Sequence, residues 1–223
     1  MEAERSPVMI LGYWAIRGLA QPIRFLLEYV GEPYEDRKYV QGDGPEFSRE
    51  EWLSVKHTLG LAFPNLPYLI DGEVKLTQSN AILRYIARKH NLLGSNEEET
   101  CLVDMLLDEA MDFRNGLVRT VYNPDYENLW AKYTKDVLPG RLAAFEKFLG
   151  EKPFFIGDKI TVVDFPLYEL LDQHRLMKED CLEGHPRLKE FLVRFEQLDR
   201  IAAYLASDRF AARPVNNKVA AWK

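Results

Sequence analysis

The chain opens on a short apolar run, Val8-Met9-Ile10-Leu11-Gly12-Tyr13, which suits a buried strand. From Leu19 to Val30 the apolar positions change to helical spacing through Ile23, Leu26, Leu27 and Val30, and Gly31 supplies the stop. Tyr34 to Val40 reads as the next strand. The stretch from Phe63 to Ile82 then combines a Leu66-Pro67 step, an apolar run, an Asp71-Gly72 turn, a second short strand and a polar Gln78-Ser79 pair opening a helix. Ser79 occupies the expected N-cap position, and Ile82, Tyr85 and Ile86 continue at helical spacing to an end near Lys89. Strand, helix, strand, hairpin and helix predict an α/β domain over residues 1–89.

Past a linker at residues 90–96 the pattern is helical to residue 223. Ser95-Asn96-Glu97-Glu98 has the form of a capping box with an acidic first turn, followed by Leu102, Val103, Leu106, Ala110, Phe113, Leu117 and Val121 at helical spacing. Pro139 and Pro186 each precede an amphipathic run, with Gly150, Gly157 and Gly184 as stops. Residues 97–223 are therefore expected to form an all-α domain. Thr161 and Asp164, set between Ile160 and Phe165, read as a buried cap with a hydrophobic staple rather than as a catalytic pair.

Charge and cysteine usage narrow the function classes. Lys and Arg number 29 against 35 Asp and Glu, a net charge of -6, which argues against nucleic acid as a partner. No apolar stretch is long enough to span a bilayer, and residues 1–7 lack the cationic and apolar parts of a secretion signal. Cys101 and Cys181 are isolated, without zinc or redox spacing, so no metal is expected and a reducing, cytoplasmic location is.

The Phe63–Ile82 unit has the makings of a peptide site. A cis Leu66-Pro67 bond would turn the Leu66 backbone outward for an extended ligand to pair with, and free amides at the helix opened by Ser79 would favour a carboxylate. Trp52 and Lys56, four residues apart, can share one face of a helical turn. Tyr13, Trp14 and Arg17 lie where the first strand gives way to its helix, the end of a strand at which α/β domains bind ligands.

The run Met9-Ile10-Leu11-Gly12-Tyr13-Trp14 with Ile16-Arg17-Gly18-Leu19-Ala20, the loop Gly42-Asp43-Gly44-Pro45 leading to Trp52 and Lys56, and the Phe63–Ile82 unit together resemble a mu-class glutathione transferase. The likeness continues through Met111-Asp112, Tyr122-Asn123-Pro124, Lys159-Ile160-Thr161 and Arg213-Pro214-Val215, nearly the full length. It implies a thioredoxin-like α/β amino-terminal domain, an all-α carboxy-terminal domain, a homodimer, and conjugation of glutathione, a co-substrate, to small hydrophobic electrophiles without a cofactor.

By that resemblance Tyr13 donates its hydroxyl to the glutathione sulfur, and Trp14 beside it belongs to the glutathione-binding set. Arg49, Trp52 and Lys56 take the glycyl carboxylate, Asn65 and the Leu66 backbone hold the middle of the tripeptide, Gln78 and Ser79 take the γ-glutamyl carboxylate, and Asp112 reaches the γ-glutamyl amine in the other subunit. Tyr122 would polarise the electrophile, in a pocket of Ile16, Leu19, Met111, Val118 and Asn217. Phe63, Arg84 and Arg88 resemble the family's dimer contact.

Arg114, Asn115, Asn216 and Asn217 depart from the family pattern around that pocket and leave electrophile preference open. A non-catalytic binding or structural protein on the same scaffold is the rival reading. A disulfide oxidoreductase would need a reactive cysteine near the first helix, where the chain has none.

Overall fold

The structure, a computed structural model, describes residues 8–223; residues 1–7, read above as lacking a secretion signal, lie outside the described residues. The first half runs β1 (Met9–Trp14), α1 (Gln21–Val30), β2 (Tyr34–Tyr39), α2 (Glu50–Leu53), β3 (Tyr68–Asp71), β4 (Val74–Thr77) and α3 (Ser79–Lys89). The second is helical: α4 (Glu97–Val121), α5 (Tyr126–Lys132), α6 (Leu138–Leu149), α7 (Asp164–Met177), α8 (Pro186–Glu196) and α9 (Asp199–Leu205). Among the described residues no helix is long and apolar enough to cross a membrane.

The four strands form one mixed sheet in the order β2-β1-β3-β4, with β1 parallel to β2 and antiparallel to β3. The parallel β1-α1-β2 crossover lays α1 on the sheet. Helix α1 is apolar enough to be covered on more than one side, and its residues from Gln21 to Leu27 are buried where it packs against α3, α7 and α9. Phe25 carries it into the helical half. Its ring meets Tyr168, Phe195 and Tyr204 edge-on at 5.3, 5.7 and 5.7 Å, each such pair contributing about 0.5–1.5 kcal/mol beyond the area it buries.

Gly31 closes α1 in the left-handed conformation (φ 74°), as its position after Val30 predicts. Two cap expectations shift by one residue. Ser79 is the first helical residue of α3, not its cap; Gln78 precedes the helix, with no side-chain cap at this end. At α4 the cap is Asn96, whose Oδ1 accepts the Glu99 amide at 2.9 Å while Glu99 reaches back to the Ser95 amide at 2.6 Å. The box is present, one position later than Ser95 and Glu98, because Asn caps as well as Ser does.

Asp164 acts as the structural cap expected of it. It accepts the Thr161 amide at 2.7 Å, the Thr161 hydroxyl at 3.2 Å and the Phe155 amide at 2.9 Å. Burial pushes its carboxyl up to about 7 in spite of these donors. His174 is buried too, stacked on Phe113 at 4.4 Å with Nε2 on the Tyr133 hydroxyl at 2.9 Å and Nδ1 on the Leu170 carbonyl at 2.7 Å. Burial holds its imidazole down at about 4.

That imidazole is neutral in the fold, and protonation favours the unfolded chain below its ordinary value near 6.5. The stability it gives is full above pH 6.5 and is lost as pH falls towards 4, a span of about 3 kcal/mol. Urea midpoints of wild type and His174→Leu, measured at stepped pH, are expected to converge over this window. A constant separation would contradict a neutral buried His174.

Candidate active site

Tyr13 ends the β1 core with its ring buried and its hydroxyl accepting the Leu19 amide at 3.1 Å. A phenol oxygen that accepts from the backbone keeps its own proton free to donate, and the accepted bond polarises it in that direction. Gly18 is required beside it. A Cβ there would lie 2.7 Å from both Cε1 and Oη of Tyr13, and its backbone is left-handed at φ 42°.

The carboxy-terminal tail lies against the same loop. The Arg17 and Gly18 amides donate to the Pro214 and Val215 carbonyls at 2.9 and 3.0 Å. The next tail residue but one, Asn217, gives its amide to the Tyr122 hydroxyl at 2.8 Å. Tyr13 and Tyr122 are thus gathered by one stretch of chain. Burial raises the Tyr122 phenol above its ordinary value and the neighbouring Tyr13 adds to this, against the Asn217 amide and Arg114, so Tyr122 stands as a protonated donor.

Arg17 anchors the loop from the other side. Its guanidinium is 2% exposed and forks onto Glu169 of α7 at 3.0 and 2.6 Å, with Nη2 also on Asp172 at 2.5 Å. Although burial opposes its charge, the two carboxylates hold it firmly protonated. Burial pushes the Glu169 carboxyl up, and Arg17 pulls it back down. Gln173 and Arg175 complete the polar network, donating to Glu169 at 2.7 Å and to Asp172 at 2.8 Å.

The residues expected to hold a tripeptide lie in the segment from Arg49, just before α2, to Ser79, the first residue of α3, with Asp112 on α4. Helix α2 spans only Glu50–Leu53, but the Lys56 amide still bonds the Trp52 carbonyl at 2.9 Å, so both side chains do share a helical turn. Trp52 is buried, stacked on Tyr68 at 6.0 Å and edge-on to Tyr39 at 5.4 Å, while Lys56 is half-buried and Arg49 exposed. The Leu66-Pro67 bond is cis, and the Leu66 amide is engaged by the Asn65 side chain at 2.9 Å, which an incoming strand-like ligand has to displace. Gln78 holds φ 74° and ψ 112°, a costly conformation for a residue with a side chain, of order 1–3 kcal/mol. Asp112 is exposed on α4.

Of the residues expected around an electrophile, Leu19 and Met111 line one narrow cleft with Ser79 and Arg114. Ile16 borders a separate cavity. Val118 and Trp14 are half-buried. Phe63 is 78% exposed, and Arg88 is exposed on α3. Arg84 is engaged within the chain, bonded to Asp104 at 2.6 Å and paired with Asp108 at 3.4 Å.

The amino-terminal half matches the "Glutathione S-transferase, N-terminal domain" model over residues 9–88, and residues 111–208 match the corresponding C-terminal domain model. Glutathione S-transferase Mu 4 of Mus musculus is 55% identical over 96% of this chain and 98% of its own length. Glutathione S-transferase Mu 1 of Homo sapiens is 54% identical over the same shares. The chain belongs to the mu-class glutathione S-transferases. Among solved structures, an Onchocerca volvulus Pi-class glutathione S-transferase superposes with a TM-score of 0.85 at 35% identity, covering 95% of this chain and 99% of that one.

Several parts of this transferase's site escape sequence reading. Val215 and the Leu19 amide act through the backbone, which no side-chain pattern announces. The tail is also tied to the loop after β2: Gln41, 8% exposed, accepts the Lys218 amide at 3.1 Å, and Lys218 pairs with Asp43 at 2.6 Å. The Arg17 clamp did leave a signal. Glu169 and Asp172 stand among Phe165, Leu167, Leu170 and Leu171 of α7, and acids buried among apolar residues call for a buried cation.

Two outcomes follow for the transferase. Arg17→Met leaves Glu169 without its cation and Asp172 with Arg175 alone, and is expected to cost about 3–5 kcal/mol in urea unfolding; a loss below about 1 kcal/mol would make the clamp incidental. Gln78→Gly relieves the backbone while Gln78→Ala does not, so the glycine variant should be the more stable by about 1 kcal/mol.

Proposed function

We propose that this enzyme, as a cytoplasmic homodimer serving detoxification, transfers the thiolate of reduced glutathione to hydrophobic electrophiles. The observation that carries the reading is the Tyr13 hydroxyl, fixed at the end of β1 with its oxygen on the Leu19 amide and its proton free to be given to a sulfur. In this reading Arg49, Trp52 and Lys56 bind one carboxylate of the tripeptide, Gln78 and Ser79 at the start of α3 the other, and Asn65 with the Leu66 backbone its middle. Asp112 takes the γ-glutamyl amine across the dimer, whose contact is made by Phe63 with Arg84 and Arg88. Glutathione is consumed as a co-substrate, and no cofactor is required.

The size of each contribution can be set from the chemistry. A free thiol of pKa ~8.5 is about 3% ionised at pH 7, and a phenol hydrogen bond lowering that value by ~2 units raises the thiolate about 25-fold. A thiolate so stabilised is also less nucleophilic, by about eightfold with a Brønsted coefficient of ~0.45. Ionisation alone therefore contributes only about threefold at neutral pH. The larger share of the acceleration falls to positioning of the electrophile and to polarisation by Tyr122. Tyr122, raised by burial and held by the Asn217 amide, is a protonated donor suited to that task. Arg114 brings a cation to the cleft of Leu19 and Met111, which favours electrophiles that develop negative charge.

Presence of the whole set, Tyr13 with Trp52, Lys56, Gln78, Ser79 and Asp112, favours catalysis over passive binding on this scaffold. The test is the pH profile of Tyr13→Phe with glutathione and an aromatic halide. The phenylalanine variant should lose about tenfold in kcat at pH 6 and about threefold at pH 7, with the deficit closing at about pH 7.6 and glutathione KM nearly unchanged. A bound thiol that titrates at the same pH with and without the phenol would overturn the role of Tyr13. An inactive wild type would turn the reading to a binding protein.

A further inference from the structure

Between the loop after β1, the start of α1, strand β2 and the tail lies a small cavity lined by Arg17, Arg24, Lys38 and Arg209, with Gln21, Ala15, Ile16 and Ala211. Four of its eight lining residues are cations and none is an acid. It encloses about 40 Å³ open to the centre of a water-sized sphere, where one water needs ~10–15 Å³ by the same measure. Arg17 and Arg24 are 2% and 3% exposed, whereas the side chains of Lys38 and Arg209 are 43% and 59% exposed. The cavity thus has two buried guanidiniums at its base and two solvated cations towards water.

Each cation has an acidic partner, but those carboxylates do not line the cavity. Asp36 takes Arg24 at 3.0 Å and Lys38 at 3.4 Å, Glu28 takes Arg209, and Glu169 and Asp172 take Arg17. Arg24 is not fully used by them. Its Nε goes to Asp36 and its Nη1 to the Ile16 carbonyl at 2.8 Å, leaving Nη2 with no hydrogen-bond partner among the described residues. A buried, unpaired guanidinium nitrogen is costly unless something accepts from it.

We propose that this cavity is an oxyanion site, taking one phosphate or sulfate group between Arg24 and Arg17 at its base and Lys38 and Arg209 at its mouth. Guanidinium forks match tetrahedral oxyanions, and the alanines at 15 and 211 leave the room such a group needs. The site is separate from the residues assigned to glutathione. It adjoins the catalytic loop, because Arg24 holds the Ile16 carbonyl and Arg17 carries the amide that bonds Pro214. The Asp36 Oδ1 atom of the same ion pair is also unpartnered, so the competing account is one water bridging the pair with no anion bound.

The experiment uses the full chain saturated with S-methylglutathione, so that the carboxylate sites for the tripeptide are filled. Inorganic phosphate and phenyl phosphate are titrated at ionic strength held constant with sodium chloride, read by thermal unfolding and calorimetry. The expected result is a saturable rise in Tm of about 3–6 °C at ten times the dissociation constant. Lys38→Met with Arg209→Met, both at the exposed mouth, should weaken binding tenfold or more while leaving conjugation unchanged. Response to phosphate alone assigns a free anion; response to both assigns the anionic end of a larger molecule. No saturable rise beyond that with chloride, or an undiminished rise in the double variant, would overturn the proposal in favour of the bridging water. The readout involves no turnover, so its failure leaves the transferase reading intact.

Discussion

The arrangement turns on one buried ion cluster, in which Arg17 of the loop after β1 is forked onto Glu169 of α7 and shared with Asp172. Charges so far from water are held only if fully paired, and this one joins the two halves at the loop that follows the strand carrying Tyr13. Hydrophobic packing of Phe25 against Tyr168, Phe195 and Tyr204 brings α1 to the helical half without fixing its position finely. Directional bonds to Arg17 supply that precision. The phenol is then set from three sides: its own strand, the Gly18 turn pressed against its ring, and the tail carbonyls of Pro214 and Val215.

Much of the fold was legible because periodicity reports burial. The apolar run ending at Tyr13, the helical spacing to Val30 with Gly31 behind it, and the prolines at Pro139 and Pro186 correspond to β1, α1, α6 and α8. What resisted was finer than a turn. The cap of α3 moved from Ser79 to Gln78 because positive φ at a glutamine is a tertiary outcome that propensity disfavours. The box at α4 moved because Asn96 and Ser95 are both good caps, and the choice between them depends on which glutamate reaches back.

The site divided along a similar line. Side chains whose chemistry matches a charged tripeptide, such as Lys56, Gln78 and Tyr13, could be named from type and spacing together with a family likeness. Contacts made by backbone could not. The Leu19 amide on Tyr13 and the Asn217 amide on Tyr122 are set by the path of the chain, and a tail residue of almost any type can supply an amide. Arg84 is bonded to Asp104 and paired with Asp108 of its own chain, contacts between α3 and α4 that its place on α3 alone does not announce.

The positions that depart from the family pattern acquire a physical sense in this setting. Asn216 is 5% exposed and gives its amide group to the Trp222 carbonyl at 3.2 Å, and Gln41 holds the Lys218 amide at 3.1 Å. Polar side chains buried in this way must keep their partners, so they fix the course of the tail rather than merely make the site wetter. A tail held at Tyr122, at Gln41 and at the Arg17–Gly18 amides is fixed by directional bonds at three points, which apolar contact alone does not provide.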